Sequence, residues 1–310
     1  MSLLLLGMPN NEVMTEALAF ALRGETRGTG ALVAARGDLT LRAFPDGESY
    51  VRIDSSVRDR DVALVCTLDR PDDKMLPLLF TAATARDLGA ASVGIVAPYL
   101  AYMRQDRRFA DGEGVTSAYF ASLLSRAFDW LVTVDPHLHR HTSLSEIYTI
   151  PTEVVHAAPR VAAWIRAHVA QPLLIGPDSE SGQWVGAVAE AAGAPSIVLE
   201  KVRRGDRDVS VTVPDVDRWR GHTPVLVDDI VSTAKTMIET VGHLRRLELA
   251  APVCIAVHAV FATGAYGELL ATGAERVVSC DTILHPSNEI SLASDLAAVV
   301  GTLSTRARSA

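Results

Sequence analysis

The stretch TPVLVDDIVSTAKTM, residues 223–237, runs an apolar, β-branched segment straight into Asp228 and Asp229. Ser232, Thr233 and Thr236 follow at the start of a helical segment. Two adjacent carboxylates repel each other, so their placement calls for solvation or for a ligand that donates to both. Exposed N–H groups at a helix start, aided by the helix dipole and nearby hydroxyls, make a seat for a phosphate. Acceptors for a sugar diol, followed within a few residues by an anion seat, match the needs of a sugar phosphate. A solvated strand end with an ordinary helix start explains the same spacing, and spacing alone does not choose. Other chemistry-bearing stretches have plain readings of their own. FPDGE is a turn, RQDRR and EKVRRGDRD are charged loops, and His137 and His139 follow a strand end.

Residues of this kind need a scaffold whose strand ends converge. Short Val-, Ile- and Leu-rich runs alternate with amphipathic segments of helical length, the pattern of α/β architecture with mostly parallel strands. Strands are expected at 2–6, 62–66, 92–97, 131–135, 173–176, 196–200, 224–228, 253–261 and 276–280. Helices are expected at 11–22, 73–88, 116–127, 157–169, 181–192, 235–248 and 292–300. Asp72 or Asp73 is expected to cap the second helix, with Pro77 near its first turn. The charged stretch KVRRGDRDVSV is expected to be a mobile loop. WLVTVDPHLH and PVLVDDIVST echo each other, as duplicated domains with a boundary near 145–155 would, although chance similarity of two strand ends explains the echo as well. The expected domains are 1–148 and 149–310. In open α/β sheets ligands sit beyond the carboxyl ends of strands, where Asp228 and Asp229 stand.

A chain of 310 residues is long enough for two domains, each with its own core. The net charge of −8 argues against a general nucleic-acid binder but leaves room for a local basic pocket. The opening MSLLLLGMPN lacks a basic region and a cleavage site, so it reads as a first strand rather than a leader. No apolar run reaches the ~18–20 residues of a membrane span. Cys66, Cys254 and Cys280 lie far apart in apolar strands, which implies buried, reduced thiols and a cytoplasmic protein.

The 223–237 stretch resembles the phosphoribosyl pyrophosphate motif of phosphoribosyltransferases and ribose-phosphate pyrophosphokinases. FPDGESYVRI (44–53), PYLAYMRQDRRF (98–109), LVTVDPHLH (131–139), LLIGPDSESG (173–182) and VLEKVRRGD (198–206) resemble the other blocks of the pyrophosphokinase family, in its order and over nearly the whole chain. The resemblance implies two α/β domains of phosphoribosyltransferase type, each a mostly parallel sheet flanked by helices. It also implies transfer of the diphosphoryl group of Mg-ATP to the 1-hydroxyl of ribose 5-phosphate. Phe44, Asp46 and Glu48 then belong to the nucleotide site, with Phe44 on adenine and Glu48 accepting from its amino group. Arg104, Gln105, Asp106 and Arg107 are assigned to ATP, and His137 to Mg-ATP with Asp178 as a second metal-side ligand. Lys201 and Arg203 become the catalytic cations. Asp228, Asp229, Ser232, Thr233, Ala234, Lys235 and Thr236 become the ribose 5-phosphate site. The implied cofactor is Mg²⁺ with ATP as co-substrate. A homo-oligomer is expected, because the adenine loop of similar enzymes reaches a neighbouring subunit's site. His139 matches no family position.

Three departures stand out. Ala234 and Lys235 replace two glycines usual in the family's phosphate loop, and Ser232 replaces an aspartate common in the bacterial enzymes. After RQDRRF the common enzymes carry a basic loop for anionic effectors, whereas this chain reads ADGEGV, with Asp111 and Glu113. Activity independent of inorganic phosphate, without ADP allostery, is the expectation. A phosphoribosyltransferase and a non-catalytic regulatory homologue remain open at this point.

Overall fold

The longest apolar runs become central strands of two parallel sheets. The computed structural model describes residues 2–25, 33–138, 140–176, 181–203, 209–212 and 216–306. They fall into two units, Met1–Val155 with Ala293–Ala310, and His156–Leu292. The units divide at 155/156, and the last helix returns to the first unit.

The first unit contains β1 (Ser2–Gly7), α1 (Glu12–Glu25), β2 (Val33–Arg36), β3 (Leu39–Ala43), β4 (Ser49–Ile53), β5 (Asp61–Val65), α2 (Asp72–Asp87), β6 (Ser92–Ala97), α3 (Thr116–Ala127), β7 (Trp130–Val134) and β8 (Thr152–Val155). Its six-stranded sheet has the order β2-β1-β5-β6-β7-β8, and every pairing is parallel. Strands β5, β6 and β7 are buried along their whole length, as a parallel sheet covered on both faces requires. Gly94 of β6 lies against the fully buried Trp130 of β7, and a Cβ there would come within 1.9 Å of the indole. Strands β3 and β4 form a separate antiparallel hairpin that packs on α2. Helix α2 starts differently from expectation. Pro71 holds the N-cap position without a side-chain cap, and Asp72 and Asp73 sit inside the first turn, where negative charge still suits the helix dipole.

The second unit contains α4 (Ala158–His168), β9 (Pro172–Gly176), α5 (Gly182–Ala192), β10 (Ser196–Val198), β11 (Glu200–Arg203), β12 (Val209–Thr212), β13 (Thr223–Val231), α6 (Lys235–Arg246), β14 (Val253–Ala259), α7 (Ala265–Thr272), β15 (Arg276–Cys280) and β16 (Asn288–Ile290). Its sheet order is β10-β9-β13-β14-β15-β16, again parallel throughout. The stretch expected to be a mobile loop forms the antiparallel pair β11 and β12 on either side of 204–208, which lie outside the described residues. Helix α8 (Ala293–Arg306) packs on α1 and against β6, β7 and β8 of the first unit.

Numbered within its own unit, each sheet reads 2-1-3-4-5-6, with an antiparallel hairpin inserted between the second and third strands. The architecture is therefore duplicated. The quoted echo, however, compared β7, a fifth strand, with β13, a third strand; the counterpart of β13 is β5. Leu4, Leu6, Leu64, Ile95, Phe120 and Leu131 anchor the first core, and Leu173, Ile175, Leu226, Met237, Val241 and Leu269 the second. Cys66, Cys254 and Cys280 are buried free thiols, and burial pushes those of Cys66 and Cys254 up to about 12. No described helix is long and apolar enough to cross a membrane.

Candidate functional site

In the second unit the sheet order reverses between β9 and β13, so their carboxyl ends border the crevice where such sheets bind ligands. β13 runs further than expected, to Val231, and carries Asp228 and Asp229 as half-buried strand residues. Each carboxylate folds back on the chain: Asp228 Oδ1 accepts from the N–H of Asp229 at 3.0 Å, and Asp229 Oδ1 from the N–H of Ile230 at 2.8 Å. Using one oxygen this way fixes the side-chain rotamer.

Ser232 and Thr233 turn the chain, and Ala262 N–H braces the turn by donating to Ser232 C=O at 3.0 Å. Ala234 is buried with φ 56° and ψ 8°, the left-handed region that favours glycine. The position where the sequence departs from the family's glycine thus does adopt a glycine-type conformation. Helix α6 begins at Lys235 with no side-chain cap and no acidic residue in its first turn. Its leading N–H groups, with half-buried Thr236, exposed Thr233 and exposed Lys235, are suited to an anion. Lys201 and Arg203 lie on β11 opposite Val211 and Val209. Asp178 lies outside the described residues.

The first unit carries the other predicted residues on two structures. Phe44, Asp46 and Glu48 form the tip of the β3–β4 hairpin, closed by Phe44 N–H to Glu48 C=O at 2.7 Å and by Glu48 N–H to Asp46 Oδ1 at 3.2 Å. Phe44 is 40% exposed, and the Arg42 guanidinium lies 4.8 Å from its ring centroid. The remaining residues follow β6 and β7, neighbours paired at Ala97 and Thr133, so their outgoing loops emerge side by side. In the loop after β6, Arg104 and Arg107 are exposed. Gln105 is tied to α3: its Oε1 accepts from the Thr116 hydroxyl at 3.0 Å and its C=O from Ser117 N–H at 3.3 Å. Asp106 faces inward, and Arg140 Nη1 donates to its two oxygens at 2.6 and 2.9 Å. His137, half-buried, follows Asp135, whose φ of 28° turns the chain out of β7.

Two contributors were not singled out from sequence, and a third, Glu113, reads there only as a charge in an acidic loop. Arg140 pairs with Asp106 across 34 positions, a separation no local pattern reveals. Phe109 is 56% exposed, with the Arg107 and Arg140 guanidinium carbons 5.1 and 5.7 Å from its ring centroid. Glu113 Oε2 accepts from Phe109 N–H at 2.7 Å and Ala110 N–H at 3.0 Å, while Arg108 Nε donates to its carbonyl at 3.0 Å. Two successive N–H groups make an anion nest, and the loop fills it with its own carboxylate. Beyond Arg140, Glu146 is held down to about 2 by its hydrogen bonds to His141 and then Thr142, which fasten the far end of the β7 loop. Among the described residues no group of three or more His, Cys, Asp or Glu side chains gathers as a metal cage.

Comparison with known proteins covers both units. Residues 8–127 match the model of the N-terminal domain of ribose phosphate pyrophosphokinase, and residues 143–294 match the phosphoribosyl transferase domain. A ribose-phosphate pyrophosphokinase of Saccharolobus solfataricus is 34% identical over 245 residues, 78% of this chain and 83% of that protein. One from Methanothermobacter thermautotrophicus is 34% identical over 260 residues, covering 84% and 90%. The crystal structure of phosphoribosylpyrophosphate synthetase from Mycobacterium smegmatis shares the fold, with a TM-score of 0.82 over 99% of this chain and 100% of that one, at 23% identity.

Proposed function

This chain belongs to the ribose-phosphate pyrophosphokinase family, and we propose that it transfers the β,γ-diphosphoryl group of Mg-ATP to the 1-hydroxyl of ribose 5-phosphate. The products are phosphoribosyl pyrophosphate and AMP. The observation that carries this reading is the end of β13, where two half-buried carboxylates run into an uncapped, hydroxyl-flanked helix start. Asp228 and Asp229 accept from the ribose hydroxyls, and the first N–H groups of α6, with Ser232, Thr233 and Thr236, hold the 5-phosphate. Lys235 adds positive charge at the same turn.

The 1-hydroxyl oxygen attacks the β-phosphorus and gives up its proton to solvent, the bond from that phosphorus to the α,β-bridging oxygen breaks, and AMP leaves with the bridge. Negative charge spreads over the migrating diphosphate, so the protein's task is positioning and charge stabilisation. Lys201 and Arg203 on β11 supply cations for it. Arg104, Gln105, Arg107 and His137 serve the nucleotide, and Phe44, Asp46 and Glu48 its base.

The half-buried His137 imidazole at the end of β7 suits an Mg²⁺ that brings phosphate oxygens and waters as most of its ligands. His137 and Asp178 are the residues to hold it, and when bound it neutralises phosphate charge. Glu113 occupies the one anion nest noted in the loop after β6, which supports activity without a phosphate effector. A cytoplasmic homo-oligomer completes the reading.

The test is to incubate the purified protein with Mg-ATP and ribose 5-phosphate and to resolve the products by chromatography. Equimolar AMP and phosphoribosyl pyrophosphate are expected. AMP released without the sugar, or no AMP, defeats the proposal.

A further inference from the structure

We propose that Arg140 is a positioning residue of the nucleotide site, acting through Asp106; this rests on the functional reading above. The loop from 98 to 115 has no regular structure and carries Arg104 and Arg107, so something must hold it in place. The Asp106 side chain is only 2% exposed, while that of Arg140 is 44% exposed. A carboxylate so hidden has little surface to offer a ligand. Bare, it would also repel a polyphosphate, whereas neutralised by Arg140 it becomes an internal anchor.

Arg140 stands three residues beyond His137, so the ion pair fastens the loop after β7 to the loop after β6. The Phe109 ring lies within reach of both the Arg107 and the Arg140 guanidinium and offers its π system to each. Two like charges are thereby kept close without collapse of the loop. Gln105 secures the same segment to α3 from the other side. The arrangement presents Arg104 and Arg107 at a fixed distance from His137, as a nucleoside triphosphate requires.

The experiment compares Arg140→Ala, Asp106→Asn, their double variant and Arg140→Lys in the full chain, with initial rates in both substrates and melting temperatures. Arg140→Ala should raise KM for Mg-ATP about tenfold or more, the scale of one lost charge-assisted contact, and leave KM for ribose 5-phosphate nearly unchanged. Asp106→Asn should give the same shift, and the double variant should be no worse than either single one, because the two act as a unit. Arg140→Lys keeps a cation opposite Asp106 and should restore most of the affinity.

Unchanged KM for Mg-ATP in both single variants overturns the inference. So does an effect of Arg140→Ala without one of Asp106→Asn, and so does a parallel loss for both substrates that tracks a fall in melting temperature. Should the wild-type chain make no AMP, the functional reading fails separately. Calorimetric titration of Mg-ATP into the same variants then decides the role of the pair.

Discussion

Ala234 holds a backbone conformation that costs a residue with a Cβ about 1 kcal/mol or more. Ala234→Gly should therefore raise the melting temperature by roughly 2–4 °C and lower KM for ribose 5-phosphate. Calorimetry and initial rates check both, and a lower melting temperature would show that the alanine is at ease there. Glu113 bears on regulation. Wild-type activity should be flat across a phosphate titration, whereas Glu113→Ala empties the nest at Phe109 and Ala110 and should make the rate respond to phosphate. A steep phosphate requirement in the wild type contradicts this. Lys201→Ala should reduce turnover about 10²-fold or more, as loss of a preorganised donor does, and an unchanged kcat removes the residue from the mechanism. The sequence announced Ala234 as unusual because a glycine position is conspicuous when another residue fills it. Arg140 could not be announced: its partner is distant in the chain, and an isolated arginine after a histidine reads as a surface cation.

Elements were legible in proportion to how completely they are buried. Strands β5, β6 and β7 are buried throughout and apolar but for Asp61, Ser92 and Thr133, because helices cover both faces, so composition alone marks them. The hairpin of β3 and β4 is only partly buried. Leu39, Leu41 and Ala43 alternate with Thr40 and Arg42, but a single five-residue alternation beside the FPDGE turn reads as part of a loop. β11 and β12 were hidden within a charged stretch, and β8 and β16 by their shortness, whereas β10 lies inside the strand expected at 196–200. The cap of α2 was misread because aspartate serves equally well in a first turn as at the N-cap. A feature of this scale is also testable at the seam of β6 and β7. Gly94→Ala drives a methyl into the Trp130 indole and should destabilise by roughly 1–3 kcal/mol or more, since the buried ring has little room to retreat. A denaturant melt measures it, and an unchanged midpoint would mean that the ring moves freely.

At the scale of the molecule, two units with one strand order explain why a family motif appears only once: β5 occupies in the first sheet the place of β13 in the second, but leads into different residues. There Asn11 Oδ1 accepts from Thr67 N–H at 2.8 Å and Lys74 Nζ donates to Thr67 C=O at 2.9 Å, contacts that close this strand end on itself. Helix α8 sets a further condition. Leu296, Ala297, Val300 and Leu303 are buried in the first unit, and each large one contributes about 1.5–3 kcal/mol by burial. A chain ending at Leu292 forfeits an amount comparable to a whole domain's net stability. It should lose the melting transition of the first unit while keeping that of the second, as calorimetry with limited proteolysis would show; two intact transitions would refute it. Translation feels the same dependence, because the first unit waits for the codons of α8 before its sheet is covered. A stop just before codon 293 therefore injures what the ribosome made well over a hundred residues earlier.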